Sequence, residues 1–212
     1  MTPPLQLGFL ASHGGSSMKA ILEAVGAGRL AAVARVAISN NADAPALVHA
    51  RAFGVPACHL SQTKLGRNVA LDAEIAATLA AHGVELVILS GYLRKLGPTS
   101  LARYRGRILN IHPGPLPKYG GPGMFGRHVH EAVLAAGERE SGIAIHVVDE
   151  EYDRGPVLAR RTVPIEPGDT PETLALRVQA LEPEFFVETL RRIAEGRLTL
   201  PLGNIAGAGE SA

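Results

Sequence analysis

Asn110 and His112 stand two residues apart in "ILNIHPGPLPKYGG", at the end of an apolar run. If that run is a strand, positions two apart project to one face, so the amide and the imidazole enter one cleft. The pair suits carbonyl chemistry. An amide N–H can donate to a developing oxyanion, and an imidazole can move a proton at the same centre. Such a site also needs a group that orients or charges the imidazole. The stretch "DEEYDRGPV" offers Asp149, Glu150, Glu151 and Asp153, and spacing alone does not choose among the four. Taken alone, a histidine at a strand end describes a structural residue, and an acidic run before "RGP" describes a solvated turn.

A second constellation lies near the N-terminus, where an apolar run leads through "SHGGSS" into a helical pattern. A Gly-rich turn at a helix start presents free backbone N–H groups and the positive end of the helix dipole. Gly15, Ser16 and Ser17 could there hold a phosphate. The loop has neither the glycine spacing of a dinucleotide fingerprint nor the lysine of a nucleoside triphosphate loop. Its bland reading is a tight turn with a serine cap.

The elements that must position these residues follow from the apolar periodicity. Short apolar runs at 5–11, 33–39, 55–60, 85–91 and 107–111 alternate with Ala/Leu-rich helical patterns, which predicts parallel strand pairing. The runs are continuously apolar, as expected when helices cover both faces of a sheet. The predicted fold is α/β, a doubly wound and mostly parallel sheet with helices on both faces. Ligands in such folds bind beyond the carboxyl ends of the strands, where "SHGGSS", "SN" at 39–40, "SGYLRKL" and "NIHPGPLP" all converge. After residue 111 come a helix near 127–136, two further strands, and a long helix with Thr170 as N-cap and Pro171 in its first position. Pro183 inside that helix predicts a kink or a break.

With 21 basic and 20 acidic side chains, the chain lacks the clustered positive charge on which nucleic-acid binding rests. The single cysteine, Cys58, excludes an intrachain disulfide and a thiolate metal cluster. The N-terminus does not resemble a signal peptide, and no apolar run approaches the roughly 20 residues needed to span a membrane. The expectation is a cytoplasmic protein with one catalytic domain over residues 1–200 and a flexible tail over 201–212, taking small molecules rather than nucleic acid or membrane as partners. A homodimer is allowed.

"LNIHPGPLPKYGG", "GIAIHVVDEEYDRGPVL" and "VPIEPGDTPETLALRVQALE", following "ASHGGSSMKAI" and "SGYLRKL", resemble in order and spacing the phosphoribosylglycinamide formyltransferases, folate-dependent enzymes of purine synthesis. The resemblance implies transfer of a formyl group from the co-substrate 10-formyltetrahydrofolate to the amine of glycinamide ribonucleotide, without a metal. It implies a catalytic trio of Asn110, His112 and Asp153, the last chosen by the match at "D-x-G-P". Asp149, Glu150 and Glu151 then fall in a loop on the folate side. It further implies that Gly15, Ser16 and Ser17 hold the nucleotide phosphate and that Gln179 and Glu182 help bind the nucleotide. Folate contacts map to Arg67, Leu93, Arg94, Lys95, Leu96 and Asn110.

The sequence departs from the usual pattern at several points. Ser17 stands where Asn is common, Lys95 where the residue is often apolar, and "NIHPGPLP" replaces "NIHPSLLP". "GGPGMFGRHVH" is longer than its usual counterpart, which leaves His128 and His130 either substrate-facing or structural. His146, on a strand pattern beside the acidic loop, is expected to support the trio. Methionyl-tRNA formyltransferase and formyltetrahydrofolate hydrolase share "NIHP" and "D-x-G-P", but each carries an additional domain that this length does not accommodate. A nucleotide-binding module without chemistry is disfavoured by the complete trio.

Overall fold

Continuously apolar strands form the centre of a sheet covered on both faces. The computed structural model describes residues 3–65 and 68–201. In chain order the elements are β1 (Leu5–Ala11), α1 (Ser16–Gly26), β2 (Ala32–Ser39), α2 (Pro45–Ala52), β3 (Ala57–His59), α3 (Gln62–Leu65) and α4 (Asn68–Ala81). There follow β4 (Leu86–Leu89), α5 (Pro98–Arg103), β5 (Ile108–His112), α6 (Arg127–Ala135), β6 (Glu140–Val147), β7 (Val157–Pro164) and α7 (Pro171–Ala194). The strands lie in the order β3-β2-β1-β4-β5-β6-β7. The first five are parallel, while β6 and β7 extend the sheet antiparallel to their neighbours. This is the mostly parallel, doubly wound α/β fold that the periodicity predicts.

Period-two alternation divides the core into two layers. On β1, Phe9 belongs to one cluster with Met18 of α1, Leu47 of α2, Val129 of α6 and Phe186 of α7, whereas Leu10 belongs to the cluster of the opposite face with Leu71, Leu79 and Tyr104. Because β1 leads outward to β2 while its other neighbour is β4, the loops after β1 and β4 diverge and open a crevice between them. Hydrogen bonds fix its rim. Ser12 N–H donates to the Gly91 carbonyl at 3.0 Å, Leu93 N–H to Ser12 Oγ at 2.8 Å, and Met18 N–H to Ser90 Oγ at 3.0 Å.

α7 starts as its sequence predicts, with Thr170 and Thr173 forming a reciprocal capping box and Pro171 following the cap. Arg177 closes a fork on Asp169, with nitrogen–oxygen distances of 2.7 and 2.8 Å. The expected break at Pro183 does not occur, and the helix runs continuously from Pro171 to Ala194. Burial of Phe185, Phe186, Val187 and Leu190 beyond the proline holds the second half in register against the sheet. The proline still has an effect, because it lacks the N–H that would bond the Gln179 carbonyl one turn earlier. Most of the expected C-terminal tail, residues 202–212, lies outside the described residues.

Candidate active site

β5 delivers Asn110 and His112 to one face, and the antiparallel partner β6 adds a third polar side chain. Asn110 pairs with His146 across the two strands, and Asn110 Nδ2 lies 3.2 Å from His146 Nε2. His146 Nδ1 donates to the Val147 carbonyl at 3.1 Å, and Nε2 is the atom that faces the Asn110 amide. On His112 the assignment is reversed. Its Nε2 donates to the Tyr119 carbonyl at 2.7 Å, leaving Nδ1 turned toward Asp153.

Asp153 arrives from the loop after β6, which folds back toward His112. Its Oδ2 lies 3.6 Å from His112 Nδ1 and its Oδ1 3.5 Å from His146 Nε2, so one carboxylate stands between two imidazoles. Backbone geometry enforces the position. Asp153 has φ of 56°, a left-handed conformation that Asp tolerates better than most residues. At Gly155 a Cβ would fall 1.9 Å from the Val147 carbonyl oxygen, so only glycine lets the loop close against β6. The Gly-rich segment after His112 makes the matching approach. A Cβ on Gly120 would fall 2.9 Å from Asp153 Cβ, and the Gly121 N–H donates to Asp153 Oδ2 at 3.0 Å.

Electrostatics follow from burial and this pairing. Burial alone would raise the Asp153 carboxyl, but the His146 ring, the Gly121 N–H and the neighbouring His112 ring outweigh it and hold the group below the usual carboxylate range. For His112, burial dominates. It pulls the imidazole below its ordinary value despite the opposing pull of Asp153 and of the Tyr119 carbonyl. The carboxylate therefore acts in the expected direction without prevailing, and the free protein holds His112 as a neutral ring. Glu182, desolvated on α7, is raised to about 7.

A cavity of about 940 Å³ is lined by Asn110, His112, Asp153 and His146. Ser16 and, from α7, Gln179 and Glu182 form part of its wall. Leu93, Arg94, Lys95 and Leu96 form another part, together with Asp149 and Glu151 of the acidic loop. Lys95 Nζ lies 5.3 Å from the centre of the Tyr152 ring, a cation–π contact joining the β4 loop to the acidic loop. Gly15 is the left-handed residue before α1, and both Gly15 and Ser17 are buried, so that of the three only the exposed Ser16 reaches the cavity wall. Arg67 lies outside the described residues. Sequence reasoning missed the Tyr119 carbonyl and the Gly121 N–H as partners of the trio, because backbone groups leave no residue-type signal. Met124 and Phe125, also on the wall, were legible only as part of an over-long Gly-rich segment.

An amide, two imidazoles and a carboxylate gathered beside the end of β5, next to the crevice between β1 and β4, form a site suited to group transfer at a carbonyl. Residues 5–190 match the family described as formyl transferase, and the chain belongs to that family. Among relatives, phosphoribosylglycinamide formyltransferase of Escherichia coli (strain K12) is 35% identical over 191 residues, covering 90% of this chain and 88% of that protein. The chloroplastic enzyme of the same name from Vigna unguiculata is 39% identical over 194 residues, and this chain spans 62% of its length. Among solved structures, glycinamide ribonucleotide transformylase 1 from Symbiobacterium toebii superposes with a TM-score of 0.87 at 35% identity, covering 96% of this chain and 94% of that one. No described helix is long and apolar enough to cross a membrane. Among the described residues no group of three or more His, Cys, Asp or Glu is placed to hold a metal ion.

Proposed function

We propose that the chain transfers the formyl group of 10-formyltetrahydrofolate to the amine of glycinamide ribonucleotide, giving the formylated ribonucleotide and tetrahydrofolate, a step of purine synthesis. The observation that carries this reading is the chain of contacts Asn110–His146–Asp153–His112, at 3.2, 3.5 and 3.6 Å, on the wall of a cavity large enough for two reactants. The wall past Ser16, Gln179 and Glu182 receives the nucleotide, with the backbone of Gly15, Ser16 and Ser17 on its phosphate. The wall along Leu93, Arg94, Lys95 and Leu96 receives the folate.

Holding both reactants across the strand ends makes attack of the amine on the formyl carbon effectively intramolecular, worth roughly 7–11 kcal/mol at best. The Asn110 amide, now on His146, turns to the oxyanion as the tetrahedral centre forms. His112 begins neutral. Its bare Nδ1 takes the proton that the amine loses, and the resulting imidazolium is balanced by Asp153 on one side and by the oxyanion on the other. Collapse breaks the bond between the formyl carbon and the folate nitrogen, and His112 returns the proton to that nitrogen. One proton moves from amine to leaving group, and the enzyme ends as it began.

The test is to follow tetrahydrofolate release by purified protein with 10-formyltetrahydrofolate, with and without glycinamide ribonucleotide. The proposal expects release only when the ribonucleotide is present. Release at the same rate without it would make the protein a hydrolase, and no release with either ligand still bound would make it a binding module.

A further inference from the structure

The two histidines of "GRHVHEAV" have opposite surroundings. His128 lies on the exposed side of α6, its Nδ1 3.3 Å from Glu131 Oε2 and its ring edge-on to Phe125. His130, two residues on, is 0% exposed and lines the catalytic cavity. Neither of its ring nitrogens has a hydrogen-bond partner among the described residues. A neutral imidazole carries one donor and one acceptor, and burying both without partners costs free energy that a purely structural residue would not retain.

Its placement depends on Gly114. A Cβ there would fall 2.5 Å from Val129 Cγ1 and 3.3 Å from His112 Nε2, so the missing side chain lets α6 seat against the end of β5. Position 114 is one of the departures from the more usual "NIHPSLLP". Burial, with the nearby His112 ring, holds His130 below the usual imidazole range. The ring is then neutral and able to donate and accept at once.

We propose that His130 is a substrate-binding residue for the acceptor, its two unpaired ring nitrogens hydrogen bonding the polar arm that carries the attacking amine beside His112. This rests on the function proposed above. The arm of glycinamide ribonucleotide presents an amide carbonyl and N–H groups, the complement of one donor and one acceptor.

The test compares wild type with His130→Phe, which keeps ring volume, and His130→Gln, which keeps a donor and an acceptor. Because no described residue partners the ring nitrogens, His130→Phe should melt at or above the wild-type temperature. It should raise KM for glycinamide ribonucleotide by about tenfold or more while changing KM for 10-formyltetrahydrofolate less than about twofold. His130→Gln should recover part of the loss. A lower melting temperature with both KM values unchanged, or an equal rise in both, would overturn the assignment. Should His130→Phe fail to fold, ¹⁵N spectra of the wild-type rings decide: the His130 resonances must move when glycinamide ribonucleotide is added alone, and unmoved resonances overturn the proposal. A wild-type enzyme that shows no transfer sinks the proposed function itself, whereas normal wild-type turnover with unaffected variants sinks only the role of His130.

Discussion

Asp153 Oδ2 lies 3.6 Å from His112 Nδ1, beyond hydrogen-bond range. The distance is consistent with a neutral imidazole awaiting a proton, and the carboxylate is the nearest charge that would stabilise the protonated ring. Asp153→Asn keeps the shape and removes the charge. It should lower turnover by about a hundredfold to a thousandfold with the fold intact, as should His112→Ala, each being comparable to loss of an oxyanion donor. NMR titration supplies the independent check, since His112 should titrate still lower in Asp153→Asn than in wild type.

Glu182 gives binding a pH dependence. Its carboxyl is raised to about 7 by burial, so it is largely protonated below that pH and ionised above. An ionised carboxylate accepts stronger hydrogen bonds, so KM for the ribonucleotide should fall as pH rises from 6 to 8 in wild type and stay flat in Glu182→Gln. Stability runs the other way. A carboxyl whose folded pKa is raised binds more protons folded than unfolded, so its stabilising contribution is lost as pH rises through about 7. Chemical denaturation should find Glu182→Gln more stable than wild type at pH 8, with the difference shrinking toward pH 5.

Gly155 is predicted to be intolerant of any side chain. Its Cβ would penetrate the Val147 carbonyl, which is backbone and cannot rotate aside. Gly155→Ala should cost about 1–3 kcal/mol in denaturant unfolding and displace Asp153, with activity falling further than stability.

Gly15 tests the phosphate loop. With φ of 62° and a Cβ position 3.0 Å from Ala46 Cβ, Gly15→Ala is strained by conformation and by space, at about 1–2 kcal/mol. KM for the ribonucleotide should rise while KM for the folate holds. Equal changes in both would move the phosphate away from α1.

Much of this was legible in the sequence because the information was periodic or local. The strands were visible as continuous apolar runs, and the shared face of Asn110 and His112 followed from their separation of two. The start of α7 was marked by Thr170 and Pro171. The choice of Asp153 among four acids was not a matter of spacing and needed the "D-x-G-P" resemblance. The structure supplies the reason, since Gly155 admits the loop to β6 and Asp153 adopts the left-handed turn. The break that Pro183 allowed does not occur, because helix propensity is local while the burial of Phe185 and Phe186 is not. The neutral state of His112 was hidden because its pKa depends on enclosure by α6 and the 113–121 segment, which no motif encodes.

The central claim is that this site moves a formyl group between two bound substrates. The most direct measurement uses 10-formyltetrahydrofolate labelled with ¹³C in the formyl group, with glycinamide ribonucleotide, and follows the label by NMR in wild type and Asp153→Asn. The label should appear as a formamide on the ribonucleotide with wild type and be almost absent with Asp153→Asn over the same time. Label found as free formate, or transferred equally well by Asp153→Asn, would contradict it.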